Sequence, residues 1–245
     1  MKKLSRAFVL AGVGLLALSS VAAAEEEEES WLPGELSGNV GFFSDYSFRG
    51  VSQTGENLAL QGGIDWSHDI GVYLGLWASN VDFGDAYIEQ DVYGGYAGSV
   101  GAFSYDMGAV FFYYPKAEEF NYWEFPLGLG YDFDVFSVSA GVLFSPEYFG
   151  VLDEGVVVSG GIAVPIPLEL PGIELGVDAN IGYSNADGLV NVDDDDYIDW
   201  SVGLTVGLPK GLGLDLRGVG TDAGGNDEFG DNGDARFVAG LTYSF

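Results

Sequence analysis

Cysteine is absent from the 245 residues, histidine occurs once, and lysine and arginine together number 8 against 38 aspartates and glutamates. Each shortage removes a class of protein. Without cysteine there is no disulfide, no lipid-modified N-terminal cysteine and no thiolate metal site. His68 is the lone imidazole and sits in a predicted turn, so lipase and protease mechanisms that need a histidine shuttle have none to use. A formal charge of −30 repels a phosphate backbone and leaves nucleic acid out of the partners; cations are the natural counterparts. No cofactor pattern is present. Asp193 to Asp196 and Asp227-Glu228 lack the ligand spacing and turn glycine of an EF-hand, and Gly94-Gly95 and Gly160-Gly161 stand beside no phosphate-loop lysine. Solvated acidic loops and glycines that ease sheet curvature explain them. Paired acids such as Glu89 and Asp91 allow a histidine-free enzyme only as a third reading.

Long apolar runs are also missing. None after the N-terminus approaches the roughly 20 continuous residues of a membrane helix. The N-terminus itself has a short one: Lys2, Lys3 and Arg6 precede an apolar stretch from Ala7 to Leu18, and Val21-Ala-Ala-Ala24 follows as a small-residue cleavage site. This is the layout of a secretory signal peptide over residues 1–24. Its removal takes the formal charge from −30 to −33. Residues 25–35, opening on Glu25 to Glu29, read as an acidic periplasmic tail, and 36–245 remain for one folded unit.

What is abundant is glycine, 39 residues, and aromatic side chains, 15%, a composition suited to sheet. Phe237, Ala239, Leu241, Tyr243 and Phe245 share one face of a closing strand, a period of two with an apolar face and a small or polar one. A terminal Phe245, Tyr243 two residues earlier and Gly240 resemble the signal read by barrel-assembly machinery, although Val238 occupies a position that is usually polar. The same parity runs through about twelve segments. In the first, Leu36, Gly38, Val40, Phe42, Tyr46 and Phe48 would face lipid, opposite Ser37, Asn39, Gly41, Asp45, Ser47 and Arg49. Later segments centre on Ile64, Leu74, Val92, Ala109, Leu127, Ala140, Ile162, Val177, Val202 and Leu214. Their connections alternate short and long, as in an outer-membrane barrel with both chain ends in the periplasm. The predicted fold is an all-β, transmembrane, antiparallel up-and-down barrel.

Residue strings then suggest a family. Ser44-Asp45-Tyr46-Ser-Phe48-Arg49-Gly50-Val-Ser52-Gln53-Thr54, Gln61-Gly62-Gly63-Ile-Asp65, Tyr73-Leu-Gly75-Leu-Trp77-Ala-Ser79-Asn80, Glu89-Gln-Asp91-Val-Tyr93-Gly-Gly-Tyr96, Asp106-Met-Gly108 and Tyr113-Tyr114-Pro115 resemble the TorF-type porins of proteobacteria. The resemblance is dense from Asn39 to Pro115. Beyond that it thins to Asn121-Tyr122-Trp-Glu124, Asp196-Tyr197-Ile-Asp199-Trp200 and Tyr243-Ser-Phe245. It implies an outer-membrane barrel with a transport role and supplies no substrate. Outer-membrane lipid, lipopolysaccharide, the assembly machinery and small solutes are the expected partners.

Parity turns Asp45, Asp65, Glu89, Asp91, Asp106, Glu124, Glu174, Asp178, Asp199 and Asp215 inward, against Arg49, Arg217 and Arg236. Charged linings select ions by sign, so a channel built this way should prefer cationic or neutral solutes. Arg49 is the leading candidate for a constriction, with Asp45 or Asp65 as its expected carboxylate partner. The rival reading is a structural or adhesive barrel in which these same groups fill a plugged lumen.

Overall fold

Period-two alternation produces strands with one apolar face, and such strands leave no exposed edge only when the sheet closes on itself. The computed structural model describes residues 33–168, 170–186 and 196–245. The expected signal peptide, Glu25 to Glu29 and Asp193 to Asp195 lie outside them. The long strands are β1 (Glu35–Phe43), β4 (Ala59–Ser67), β5 (Val72–Phe83), β6 (Ala86–Val100), β7 (Phe103–Tyr113), β8 (Tyr122–Asp132), β9 (Ser137–Ser145), β10 (Gly155–Ile166), β11 (Glu174–Ala186), β12 (Asp196–Gly207), β13 (Leu212–Thr221) and β14 (Arg236–Ser244). Between β1 and β4 a small hairpin is made by β2 (Ser47–Phe48) and β3 (Val51–Ser52). The twelve long strands pair antiparallel, each with its sequence neighbours, and β14 returns to β1 to close the barrel.

Closure is completed by the last residue. Asn39 to Phe43 pair with Ser244 to Gly240, and beyond them Gly38 and Phe245 exchange both backbone hydrogen bonds, at 2.9 and 3.0 Å. The ring of Phe245 points outward and stacks on Tyr243. Gly240 has a packing role in the wall: a Cβ there would stand 2.3 Å from the ring of Phe43.

The first described strand residue, Glu35, and the last residue, Phe245, lie at one rim, the terminal end. Connections at that rim span 68–71, 101–102, 133–136, 167–173 and 208–211. At the far end they include 44–58, 114–121, 146–154 and 222–235, with 84–85 as a tight exception. The connection 222–235 also holds a short helix, α1 (Ala223–Phe229), that the strand periodicity does not indicate. Asp222 starts it by accepting a hydrogen bond from the Gly225 amide at 3.2 Å, an N-cap.

The outward face carries Leu36, Leu60, Ile64, Leu74, Leu76, Val92, Met107, Leu127, Val158, Ile181, Val202 and Leu241, all exposed. An apolar band of this kind is the surface that a bilayer covers. Its consequence can be measured. Leu127→Arg, outward at the middle of β8, should weaken refolding into lipid vesicles by roughly 2–4 kcal/mol, whereas Asp178→Arg, inside, should leave it within about 1 kcal/mol. Equal losses in urea titrations of the two variants would mean that the register is wrong.

Inside, the two halves of the barrel differ. Toward the terminal end the wall of β8 to β12 presents small groups, among them Gly128, Ser139, Ser159, Gly176 and Gly203, and the larger side chains opposite lie flat. Tyr93 crosses Gly75, whose Cβ would stand 2.2 Å from its ring, and Tyr73 crosses Gly95, whose Cβ would stand 2.5 Å from its hydroxyl. The far half is a packed core of buried residues that includes Phe43, Tyr46, Phe48, Val110, Phe112, Tyr114 and Tyr122. Here the expectation for the first strand fails: Tyr46 and Phe48 do not face lipid. β1 ends at Phe43, and the chain then turns into the lumen and carries both rings with it.

Candidate functional site in the barrel lumen

The segment 44–58 is the most distinctive feature of the interior. Ser47 pairs with Ser52 and Phe48 with Val51, leaving Arg49-Gly50 as a two-residue turn with φ of 48° and 80°. Two positive φ values mark the turn family whose twist matches an antiparallel ribbon. Gly50 suits it twice over, since a Cβ would also stand 2.6 Å from the Gly220 carbonyl.

Carboxylates hold this hairpin at its root and along its side. Asp45 accepts from Ser52 Oγ at 2.6 Å, Thr54 Oγ1 at 2.8 Å and Arg236 Nε at 2.5 Å. Arg236 also donates through Nη1 to the Gly50 carbonyl at 2.9 Å. Tyr46 donates its hydroxyl to Glu89 Oε1 at 2.7 Å, and Tyr114 donates to the other oxygen of Glu89. The Tyr46 ring meets Trp77 edge-on, with centroids 5.4 Å apart.

Arg49 crosses the lumen from the hairpin tip. Its Nη2 donates to Glu124 Oε2 at 2.7 Å, and the side chains are 3% and 0% exposed. Its guanidinium carbon lies 4.5 Å from the centre of the Phe48 ring and 5.4 Å from that of Tyr148. The partner differs from the expected Asp45 or Asp65. Asp45 stays at the hairpin root beside β14, where Arg236 takes it, and Asp65 receives the Tyr93 hydroxyl. The turn projects the next side chain away from both, toward β8. Tyr148 is held in place by donating to Ser184 Oγ at 3.0 Å, beside the Tyr197 hydroxyl at 3.4 Å. Phe229 of α1 packs edge-on against Tyr197, 5.2 Å between centroids, and adds a roof over this end.

The other inward charges sit on two facing walls. On β4 to β7, Tyr93 donates to Asp65 and Tyr73 to Asp106, the latter at 2.9 Å. On β11 to β13, Arg217 binds Asp215 through Nε and Nη2 at 2.6 and 2.5 Å and approaches Asp178 at 3.6 Å. Asn180 links Asp178 to Ser201 on the next strand. Glu174 begins β11 at the terminal rim and is exposed. Among the described residues Asp65, Glu89, Asp91, Asp106 and Asp199 have no cation within ion-pair distance. Asp91 Oδ1 and Asp199 Oδ2 are buried without any hydrogen-bond partner among those residues. The arrangement is therefore a lumen with more carboxyl groups than cations among the described residues, lined by small groups in one half and filled in the other by a bracketed hairpin.

The phenol groups of this site escape a reading that follows charge alone. Tyr73 and Tyr93 stand at inward parity, a signal present in the sequence. Tyr46, Tyr114 and Tyr148 lie in connections, where no period assigns a face.

Residues 27–245 match a family described as a bacterial protein of unknown function (Gcw_chp). No curated protein matches the chain. Among solved structures, the KdgM porin aligns with a TM-score of 0.59 at 14% identity, covering 85% of this chain and 99% of its own. A KdgM porin in complex with disordered oligogalacturonate aligns at 0.56 and 13% identity, over 86% and 98%. The NanC porin aligns at 0.52 and 10% identity, over 86% and 99%. The likeness is one of fold along nearly the whole of those chains.

Proposed function

Starting from a chain that belongs to the Gcw_chp family and shares its fold with the KdgM and NanC porins, we propose a porin-like channel of the outer membrane that passes small cationic or neutral solutes. Surplus inward carboxylate carries this reading. Asp65 and Asp106, half-exposed and without an ion-pair partner among the described residues, make entry of an anion unfavourable and raise the local concentration of cations. The oligogalacturonate held in the KdgM complex is a polyanion, and this lining disfavours such a ligand. The resemblance of Asn39 to Pro115 to TorF-type porins points to transport as well.

An even strand number with short connections at the terminal rim puts that rim in the periplasm. The small-lined half is then a vestibule opening inward, and the Arg49 hairpin is the constriction on the outer side. Lipid and lipopolysaccharide surround the apolar band, and the assembly machinery reads Tyr243 and Phe245 on the outward face of β14.

Reversal potentials of the refolded protein in planar bilayers under a salt gradient test the charge argument. The wild type should favour cations. Asp65→Asn, Asp91→Asn and Asp106→Asn combined should move the reversal potential toward the anion side. Anion preference in the wild type would defeat the reading. Complete burial of the Arg49–Glu124 pair favours a second one, a plugged structural barrel, and well-folded protein with no conductance at any voltage would establish it.

A further inference from the structure

Arg49 is held in an unusual way for an arginine in a buried pair. Its planar fork can give two parallel N–H bonds to one carboxylate, yet it gives Glu124 a single bond at 2.7 Å. Nε and Nη1 of Arg49 and Oε1 of Glu124 remain buried with no partner among the described residues. The backbone at Arg49 is left-handed, φ 48°, a conformation costly for a residue with a Cβ. A tethered, strained guanidinium thus fills its socket incompletely.

The surroundings of that head group suit a cation. Phe48 and Tyr148 offer ring faces at 4.5 and 5.4 Å, and Glu124 offers a carboxylate with one oxygen free. Glu89 and Asp91 are two further buried carboxyl groups, on β6, without a cation of their own among the described residues. Take Arg49 away, and the socket keeps its carboxylates and loses its counter-charge.

We propose that the Glu124 socket is a recognition site for solutes bearing a guanidinium or primary ammonium group, and that Arg49 occupies it as a built-in competitor that narrows the channel. The inference rests on the channel reading and adds a ligand class and a site to it. An incoming guanidinium is not tethered to a strained turn. It can turn both N–H pairs onto both oxygens of Glu124, which Arg49 does not do, and so displaces the side chain while passing. No covalent step is involved.

Free guanidinium ion is the probe, used far below denaturing concentrations on the refolded full-length barrel in planar bilayers. Arg49→Ala should raise the conductance, and guanidinium should then block it reversibly with saturation, whereas sodium at the same concentration should not. Adding Glu124→Gln should raise the half-blocking concentration at least about tenfold, since the charge-assisted bond is lost. Arg49→Met keeps the stem against Phe48 and empties only the head of the socket, and the same titration on it provides an independent reading should the alanine variant fail to assemble. Equal guanidinium sensitivity with and without Glu124, or in wild type and the Arg49 variants, overturns the site while leaving cation preference standing. Loss of all conductance in folded Arg49 variants overturns the channel reading itself.

Discussion

Replacing Phe48 to Val51 at the hairpin tip with two glycines should raise single-channel conductance by about an order of magnitude, because flow is set by the narrowest section of the pore. That section lies in the half where Tyr46, Phe48, Arg49 and Val51 are all buried. The wall behind them would remain, since Phe112 and Tyr122 stack on each other with centroids 4.3 Å apart and belong to β7 and β8. Asp45 at the hairpin root would still bind Thr54 and, through Arg236, tie the shortened segment to β14. Bilayer recordings of the two proteins side by side give the answer. Unchanged conductance would place the constriction away from this hairpin.

The second large effect is on stability. Arg236→Ala should lower the unfolding free energy in lipid vesicles by about 3–5 kcal/mol, the cost of leaving a buried carboxylate without its cation. Asp45 is that carboxylate: its side chain is 4% exposed and it bonds Arg236 at 2.5 Å. The same substitution strips the Gly50 carbonyl of its donor, so the hairpin loses a bond at the tip along with one at the root. Arg217→Ala is the control. Arg217 and its partners Asp215 and Asp178 are 17%, 11% and 18% exposed, against 8% and 4% for Arg236 and Asp45, so the loss should be smaller. Replacing Asp45 and Arg236 together with leucine should recover much of the stability while abolishing the bracket. Urea titrations that give Arg236→Ala and Arg217→Ala the same small loss would show that the Asp45 bracket does not hold the hairpin.

Which face of each strand turns inward was legible in the residues, because alternation is a local property with a period of two and needs no knowledge of the neighbouring strand. Leu74 outward with Tyr73 inward, or Asp215 and Arg217 inward between Leu214 and Leu216, follow from the string alone. Strand number, closure and the rim that gathers the short connections follow from the same repetition. Tyr46 and Phe48 escaped it, since β1 stops at Phe43 and a connection has no period to continue. Partner choice escaped it as well. Whether Arg49 meets Asp45, Asp65 or Glu124 depends on where each strand stands around the circumference and on the direction in which a left-handed turn throws the chain. Those are relations between residues 75 positions apart in the case of Arg49 and Glu124, and 191 apart for Asp45 and Arg236. The sequence by itself thus determined a barrel with an acidic interior. Only the tertiary structure decided that a hairpin packs one half of that interior, because this packing comes from side chains that meet across the lumen and not along a strand.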